Sequence, residues 1–291
     1  MVLDGKAISK RIREEIKSQS SVVTQNLGRK PGLAVLLVGD DPASNVYVSN
    51  KEKNALEVGF HSLILRKPSS ISENDILEIV DQWNNDADID GILVQLPLPK
   101  HIDDQKVINA IDPDKDVDGF SPVNMGRLVL GLSGFRPCTP AGIVELLHRY
   151  DIKTSGKHVV VVGRSNIVGK PIANMLLQRD KPGNSTVTVC HTGTLDLKQH
   201  TLQADILIAA MGVPEAIKSD MVKEGCVIID VGMNRVEDSS RKKGYRLTGD
   251  TDLDNIKDKV LAYTPVPGGV GPMTIAMLLK NTLLSAENKL N

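Results

Sequence analysis

Aromatic side chains are scarce in this 291-residue chain, which has one tryptophan, four tyrosines and three phenylalanines. So few rings make a poor platform for stacking bases, and a formal net charge of −1 leaves no basic footprint for nucleic acid. Cysteine is sparse too. Cys138, Cys190 and Cys226 are far apart, odd in number and free of C-x-x-C spacing, which argues against a disulfide framework or a zinc site. The six histidines are equally scattered, and no metal is expected. No apolar run approaches transmembrane length, and the stretch from Met1 to Lys17 is charged and amphipathic, unlike a signal peptide. The expectation is a cytoplasmic protein with no membrane partner.

What the chain does have is concentrated in one segment. Val159, Val160, Val161 and Val162 in succession read as a strand buried on both faces, the mark of a parallel sheet. Gly163-Arg164-Ser165-Asn166-Ile167-Val168-Gly169 follows as a turn, and a helix can start at Lys170 or Pro171. Strand, glycine turn and helix N-terminus together make an anion site for a dinucleotide pyrophosphate. The spacing departs from G-x-G-x-x-G, because Ser165 replaces the middle glycine and the last glycine falls one residue late. A tight buried turn is the alternative. The next strand, Thr186 to Cys190, follows a helix at 171–179 and a loop at 181–184, and ends in His191-Thr192-Gly193 without a carboxylate for a ribose diol. With Arg164 inside the turn, where a guanidinium can pair with phosphate, this points to NADP. A solvated loop arginine is the other reading.

Around this motif, apolar runs at 33–38, 63–65 and 89–96 alternate with helical patterns at 5–27, 43–58, 72–85 and 103–111. Asp4 and Ser72 are candidate caps. Buried strands follow at 204–210 and 227–231, a short one near Tyr263, and an amphipathic helix from about Pro272 to Lys289. Such βαβ alternation predicts an α/β protein, and the length suits two domains. Gly131, Ser133, Gly134, Pro137, Pro140 and Gly142 interrupt periodicity at the boundary. The expected division is 1–139 with 268–291 as one domain and 140–267 as a Rossmann-like domain, the final helix returning to the first.

Three clusters in the first domain put polar groups in unexpected places. Tyr47 and Lys51, four apart, share a helix face, although a packed ring and a solvated amine are the commoner explanation. Gln95 interrupts the apolar run from Ile92 to Pro99, at the carboxyl end of a strand, where α/β sheets bind ligands; it could also simply tie a loop. Asp114, Asp116 and Asp118 before Gly119 match the first half of a calcium loop, but Met125 stands where a bidentate glutamate belongs and Pro122 intrudes, which rejects calcium.

Six segments then occur in order: Tyr47-Val48-x-x-Lys51, Val94-Gln95-Leu96-Pro97-Leu98-Pro99, Asp116-Val117-Asp118-Gly119-Phe120, Pro137-Cys138-Thr139-Pro140, the Gly163 to Pro171 turn, and Pro265 to Thr274. Together, over essentially the whole chain, they resemble the bifunctional methylenetetrahydrofolate dehydrogenase/cyclohydrolase family. The resemblance implies NADP-dependent oxidation of 5,10-methylenetetrahydrofolate to the methenyl form, then hydrolysis to 10-formyltetrahydrofolate. It further implies tetrahydrofolate derivatives as ligands, one-carbon metabolism supplying purine biosynthesis, and a homodimer. Carried over by position, Lys51 is the central catalytic residue bonded to Gln95, Tyr47 stacks on the folate ring, and Asp118 holds the pterin edge. Val94 and Leu96 flank Gln95, and Pro267, Gly268, Gly269, Val270 and Gly271 form a loop over folate and nicotinamide. Gly163, Arg164 and Ser165 match the phosphate turn, and Thr192 and Met233 match cofactor contacts. Two residues depart from the family's pattern: Thr192 where serine is frequent, and Met233 where isoleucine is common.

The chemistry fits those residue types. Hydride leaves a carbon flanked by two nitrogens, so orientation dominates that step. Hydrolysis needs a proton handler, and a lysine in a partly dehydrated cleft can serve at lowered pKa. A dehydrogenase acting on another small substrate and a non-enzymatic NADP-binding regulator remain the alternatives.

Overall fold

The computed structural model describes residues 1–179, 182–241 and 244–290, so residue 181 of the expected loop at 181–184 lies outside the described residues. The elements run α1 (Gly5–Leu27), β1 (Gly32–Val38), α2 (Pro42–Glu57), β2 (His61–Lys67), α3 (Glu73–Asn85), β3 (Gly91–Val94), α4 (Asp104–Ala110), α5 (Pro122–Leu130) and α6 (Cys138–Arg149). They continue β4 (His158–Val162), α7 (Gly169–Leu177), β5 (Thr186–Cys190), α8 (Leu197–Thr201), β6 (Ile206–Ala209), β7 (Val227–Asp230), β8 (Asn234–Glu237), β9 (Tyr245–Thr248), α9 (Leu253–Ile256), β10 (Ala262–Tyr263) and α10 (Val270–Asn288).

The chain divides into two compact units, Lys10–Cys138 with Ile275–Asn291, and Met1–Ser9 with Thr139–Thr274. Relative to the expected bounds, residues 1–9, 139 and 268–274 fall with the second unit. The reason is local pairing: Met1 and Leu3 exchange backbone hydrogen bonds with Leu261 and Tyr263, and a Cβ on Gly5 would lie within bond-length reach of the Gly269 carbonyl. From Ile275 onward the last helix does return to the first unit. Ser285 Oγ in α10 donates to the carbonyls of Asp90 and Asp114 at 2.7 and 2.9 Å.

In the first unit the sheet is parallel, in the order β2-β1-β3. Ala34, Leu36 and Val38 of β1 pack with Ile76, Val80 and Trp83 of α3 and with Val107 of α4. Ser72 and Asp75 form a capping box that starts α3, and Asp4 Oδ1 accepts from the Ala7 N–H at the start of α1. Asp90, fully buried just before β3, is held by the two terminal guanidinium nitrogens of Arg29 at 2.8 Å, by Lys289 Nζ at 2.7 Å and by the Gly32 N–H.

In the second unit a five-stranded parallel sheet runs β10-β7-β6-β4-β5. The four valines of β4 are at most 2 % exposed, so both faces of the strand are covered. An antiparallel pair, β8 and β9, stands apart from that sheet and was not foreseen, since its strands are short and half-exposed. Nor were α5 and α6. Ser121 caps α5 with Pro122 in its first turn, and Pro140 lies in the first turn of α6, where proline costs no hydrogen bond. A Cβ on Gly142 would come within 2.8 Å of Met273 Cβ, so that glycine permits close helix packing and marks no linker.

Candidate active site and cofactor cradle

The order β2-β1-β3 reverses direction between β1 and β3, so the carboxyl ends of those strands frame a crevice where α/β sheets bind ligands. Gln95 stands there, one residue past β3, its N–H bonded to the Leu36 carbonyl at 2.9 Å. Asp41 accepts from the Ser44 N–H at 2.7 Å and Pro42 opens α2, which carries Tyr47 and Lys51 on one face. Segment 115–117 runs beside β3, with Ile92 bridging Asp116, and so delivers Asp118 to the same end of the sheet.

Lys51 is 8 % exposed, and its Nζ donates to Gln95 Oε1 at 3.0 Å. Burial pushes its pKa down, opposed by the nearby Asp118 and Cys138. Burial raises the Asp118 carboxyl in turn, while Lys51 and the Cys138 thiol draw it back. Lys115 is just as buried, but its Nζ donates to the Trp83 and Asp86 carbonyls at 2.9 and 2.7 Å, which ties it to the end of α3. Lys51 is instead paired with a side-chain amide at a strand terminus. Tyr47 is half-buried and its hydroxyl pKa is raised by burial. Val94 belongs to the core, Leu96 packs against that core, and both line a small hollow with Asp118 and Phe120.

The aspartate run is explained by backbone chemistry. Asp116 accepts from the N–H groups of Gly119, Phe120 and Ser121 and from Asn124 Nδ2, at 2.8–3.2 Å. Asp112 accepts from the Asp114 N–H, and Asp114 pairs with Arg127 at the surface. Gly119, at φ +77°, lies so close to the Arg136–Pro137 peptide that a Cβ would sit 2.7 Å from it. Cys138, in the Pro137 to Pro140 segment, is fully buried with its thiol beside Asp118 and its pKa pushed far up.

In the five-stranded unit the direction reverses between β4 and β6. Gly163 follows β4 there with φ +132°, and a Cβ on it would lie 2.1 Å from the Ala210 carbonyl oxygen. One on Gly169, opening α7, would lie 2.2 Å from the Gly163 oxygen. Both glycines therefore allow strand, turn and helix to approach as a phosphate cradle requires. Ser165 Oγ accepts from the Val168 and Gly169 N–H groups at 3.1 and 3.4 Å, so its hydroxyl oxygen closes the turn. Arg164 is exposed beside it, and β5 ends in a tight turn of His191 to Thr194 with Thr192 exposed.

At the end of β7, Asp230 accepts from the N–H groups of Gly232, Asp250 and Thr251. Asp250 accepts from Met211, Gly212 and Asn234 Nδ2, so two carboxylates that sequence reading missed hold the loops around Met233. Met233 is 42 % exposed, and a Cβ on Gly271 would lie 3.2 Å from its Cε. Of the loop expected to cover ligands, Pro267 is exposed and Gly271 half-buried, whereas Gly268, Gly269 and Val270 are buried. Lys51, Gln95 and Asp118 thus converge in one unit, and Gly163, Arg164 and Ser165 in the other.

Residues 3–118 match the catalytic domain of tetrahydrofolate dehydrogenase/cyclohydrolase, and residues 137–290 match its NAD(P)-binding domain. The bifunctional protein FolD of Chlorobium phaeobacteroides strain BS1 is 55% identical over 286 residues, covering 98% of this chain and 96% of its own. The crystal structure of the bifunctional FolD dehydrogenase/cyclohydrolase from Campylobacter jejuni superposes with a TM-score of 0.93 at 48% identity, covering 99% of both chains. The Trypanosoma brucei enzyme, complexed with NADP cofactor and an inhibitor, superposes with a TM-score of 0.94 at 36% identity, covering 100% of this chain and 98% of that one.

Proposed function

Because the chain belongs to the tetrahydrofolate dehydrogenase/cyclohydrolase family, we propose that it oxidises 5,10-methylenetetrahydrofolate with NADP and hydrolyses the methenyl product to 10-formyltetrahydrofolate, with Lys51 moving the proton in the second step. The observation that carries the residue assignment is the buried Lys51, held by Gln95 and faced by Asp118, at the carboxyl end of a parallel sheet.

The methenyl substrate is a cation, and a neutral amine is easier to place beside it than an ammonium. The depressed Lys51 pKa favours that neutral form. In hydrolysis, water adds to the methenyl carbon and gives up a proton to the Lys51 amine. The bond from that carbon to N5 then breaks and N5 gains a proton, leaving the formyl group on N10 and one net proton released. Gln95 orients the amine through its carbonyl oxygen. Asp118 accepts hydrogen bonds from the pterin N–H edge, and Tyr47 stacks on the ring system, with Val94 and Leu96 beside it.

The fit of NADP rests on the two glycines that a Cβ would force apart, on exposed Arg164 and on the carboxylate-free end of β5. Bound NADP supplies the hydride acceptor for the oxidation. Gly163, Arg164 and Ser165 take its phosphates, Arg164 favours the 2′-phosphate, and Thr192 and Met233 make further contacts. Pro267 and Gly271 are the positions of their loop with surface to offer a ligand. A cytoplasmic homodimer completes the proposal; β5 is an open sheet edge with Val189 39 % exposed, which suits self-association. No helix among the described residues is long and apolar enough to cross a membrane.

Spectrophotometric turnover of methylenetetrahydrofolate with NADP and with NAD tests the oxidation, and methenyl hydrolysis without cofactor tests the second activity. Turnover with NADP and cofactor-independent hydrolysis are expected. Failure of either assay removes that half of the proposal.

A further inference from the structure

In α10, the Asn281 side-chain amide donates to two backbone carbonyls of the first unit, Val117 at 2.9 Å and Arg136 at 3.1 Å, and lies 3.8 Å from Cys138 Sγ. The Val117 carbonyl belongs to the same peptide group as the Asp118 N–H, so this bond sets the peptide plane from which the Asp118 side chain leaves. Cys138 Sγ donates to the same carbonyl at 3.3 Å, and its thiol faces the Asp118 carboxyl. One amide therefore joins the loop bearing Asp118 to the loop bearing Cys138. At that junction the chain is already tight, since Gly119 lies against the Arg136–Pro137 peptide with no room for a Cβ. From the other side Asp116 fixes the N–H groups of residues 119–121, leaving Asp118 between two anchors.

We propose that Asn281 is a positioning residue for folate turnover, holding Asp118 in register with Lys51 through the Val117 and Arg136 carbonyls. This inference rests on the reading that Asp118 binds the folate. Asn281 touches no reacting atom, so its effect must pass through Asp118. Two readouts follow that a general loss of packing does not produce. The folate KM rises while NADP affinity, carried by the other unit's residues, stays constant. The acid limb of the hydrolysis pH profile also moves to lower pH, because the Asp118 carboxylate raises the Lys51 pKa against burial, and a displaced Asp118 raises it less.

The test is a double-mutant cycle on the full-length enzyme with Asn281→Leu and Asp118→Ala, measuring methenyl hydrolysis and NADP affinity. Asn281→Leu alone should raise KM for methenyltetrahydrofolate about tenfold, and in the Asp118→Ala background it should add almost nothing. An equal cost in both backgrounds, or an unchanged KM and pH profile beside an impaired Asp118→Ala enzyme, overturns the proposal. An Asp118→Ala enzyme with wild-type KM overturns the folate reading, and the positioning role with it. If Asn281→Leu does not fold, Asn281→Ser runs the same cycle, because its short hydroxyl cannot reach both carbonyls.

Discussion

Lys51 Nζ lies 3.0 Å from Gln95 Oε1, and the other end of the same amide, Nε2, donates to the Leu96 carbonyl at 2.8 Å. The second bond fixes which way the amide faces, so an acceptor is presented to the lysine. The lysine is thereby aimed into a site whose burial disfavours its charge.

That arrangement makes stability depend on pH in a definite direction. The folded-state pKa of Lys51 is depressed, so between it and the ordinary lysine value of about 10.4 the unfolded chain binds more protons than the folded one. Stability through this group therefore rises with pH across that window and is level above it. Lys51→Met removes the penalty: it should melt at a higher temperature than wild type at pH 7, with the difference shrinking as pH approaches 10.4. A constant difference across a thermal denaturation series would contradict the assignment of burial as the cause.

Asp90 is the opposite case. It is fully buried and its pKa is held below the usual carboxylate range, because Arg29, Lys289 and the Gly32 N–H outweigh the cost of burial. Its contribution is complete above the ordinary aspartate pKa of about 3.9 and is lost as pH falls through the lower folded value. Asp90→Ala leaves the buried Gly32 N–H without its acceptor and two partly exposed cations without their shared anion, and should cost roughly 1–3 kcal/mol in urea unfolding at pH 7. A loss below 1 kcal/mol would make the cluster an ordinary surface pair.

Arg164→Ala addresses the cofactor. Hydrogen bonds to charged groups are worth roughly 1.5–3 kcal/mol, so the variant should lose about tenfold or more in NADP KM and far less in NAD KM. Equal losses would return Arg164 to a structural place in the turn.

Much of this architecture was legible because strong periodic signals coincide with buried elements. The valine run, the glycine turn and β5 read directly as strand, tight turn and strand, since no competing pattern overlies them. The unit bounds were harder. The break at 138/139 falls one residue from the expected 139/140, but those at 9/10 and 274/275 lie inside α1 and α10, where composition gives no linker signal. Pro137, Pro140 and Gly142 looked like a linker, yet Pro140 sits in the first turn of α6 and Gly142 serves helix packing. At the site, Lys51 and Gln95 were marked by polarity in apolar surroundings. Cys138 and Asn281 carry no such signal, because their importance lies in bonds to backbone carbonyls distant in sequence. Asp230 and Asp250 escaped for the same reason: each serves N–H groups that only the fold brings near.

The central claim is that Lys51 handles the proton in methenyl hydrolysis while alignment governs hydride transfer. The most direct measurement is hydrolysis of methenyltetrahydrofolate by Lys51→Met without NADP, corrected for the buffer-catalysed rate. The variant keeps much of the side-chain volume and should bind folate and NADP measurably, yet lose about 10²–10⁴-fold in hydrolysis. A variant within a few-fold of wild type would remove Lys51 from the mechanism and leave it a buried helix residue bonded to Gln95.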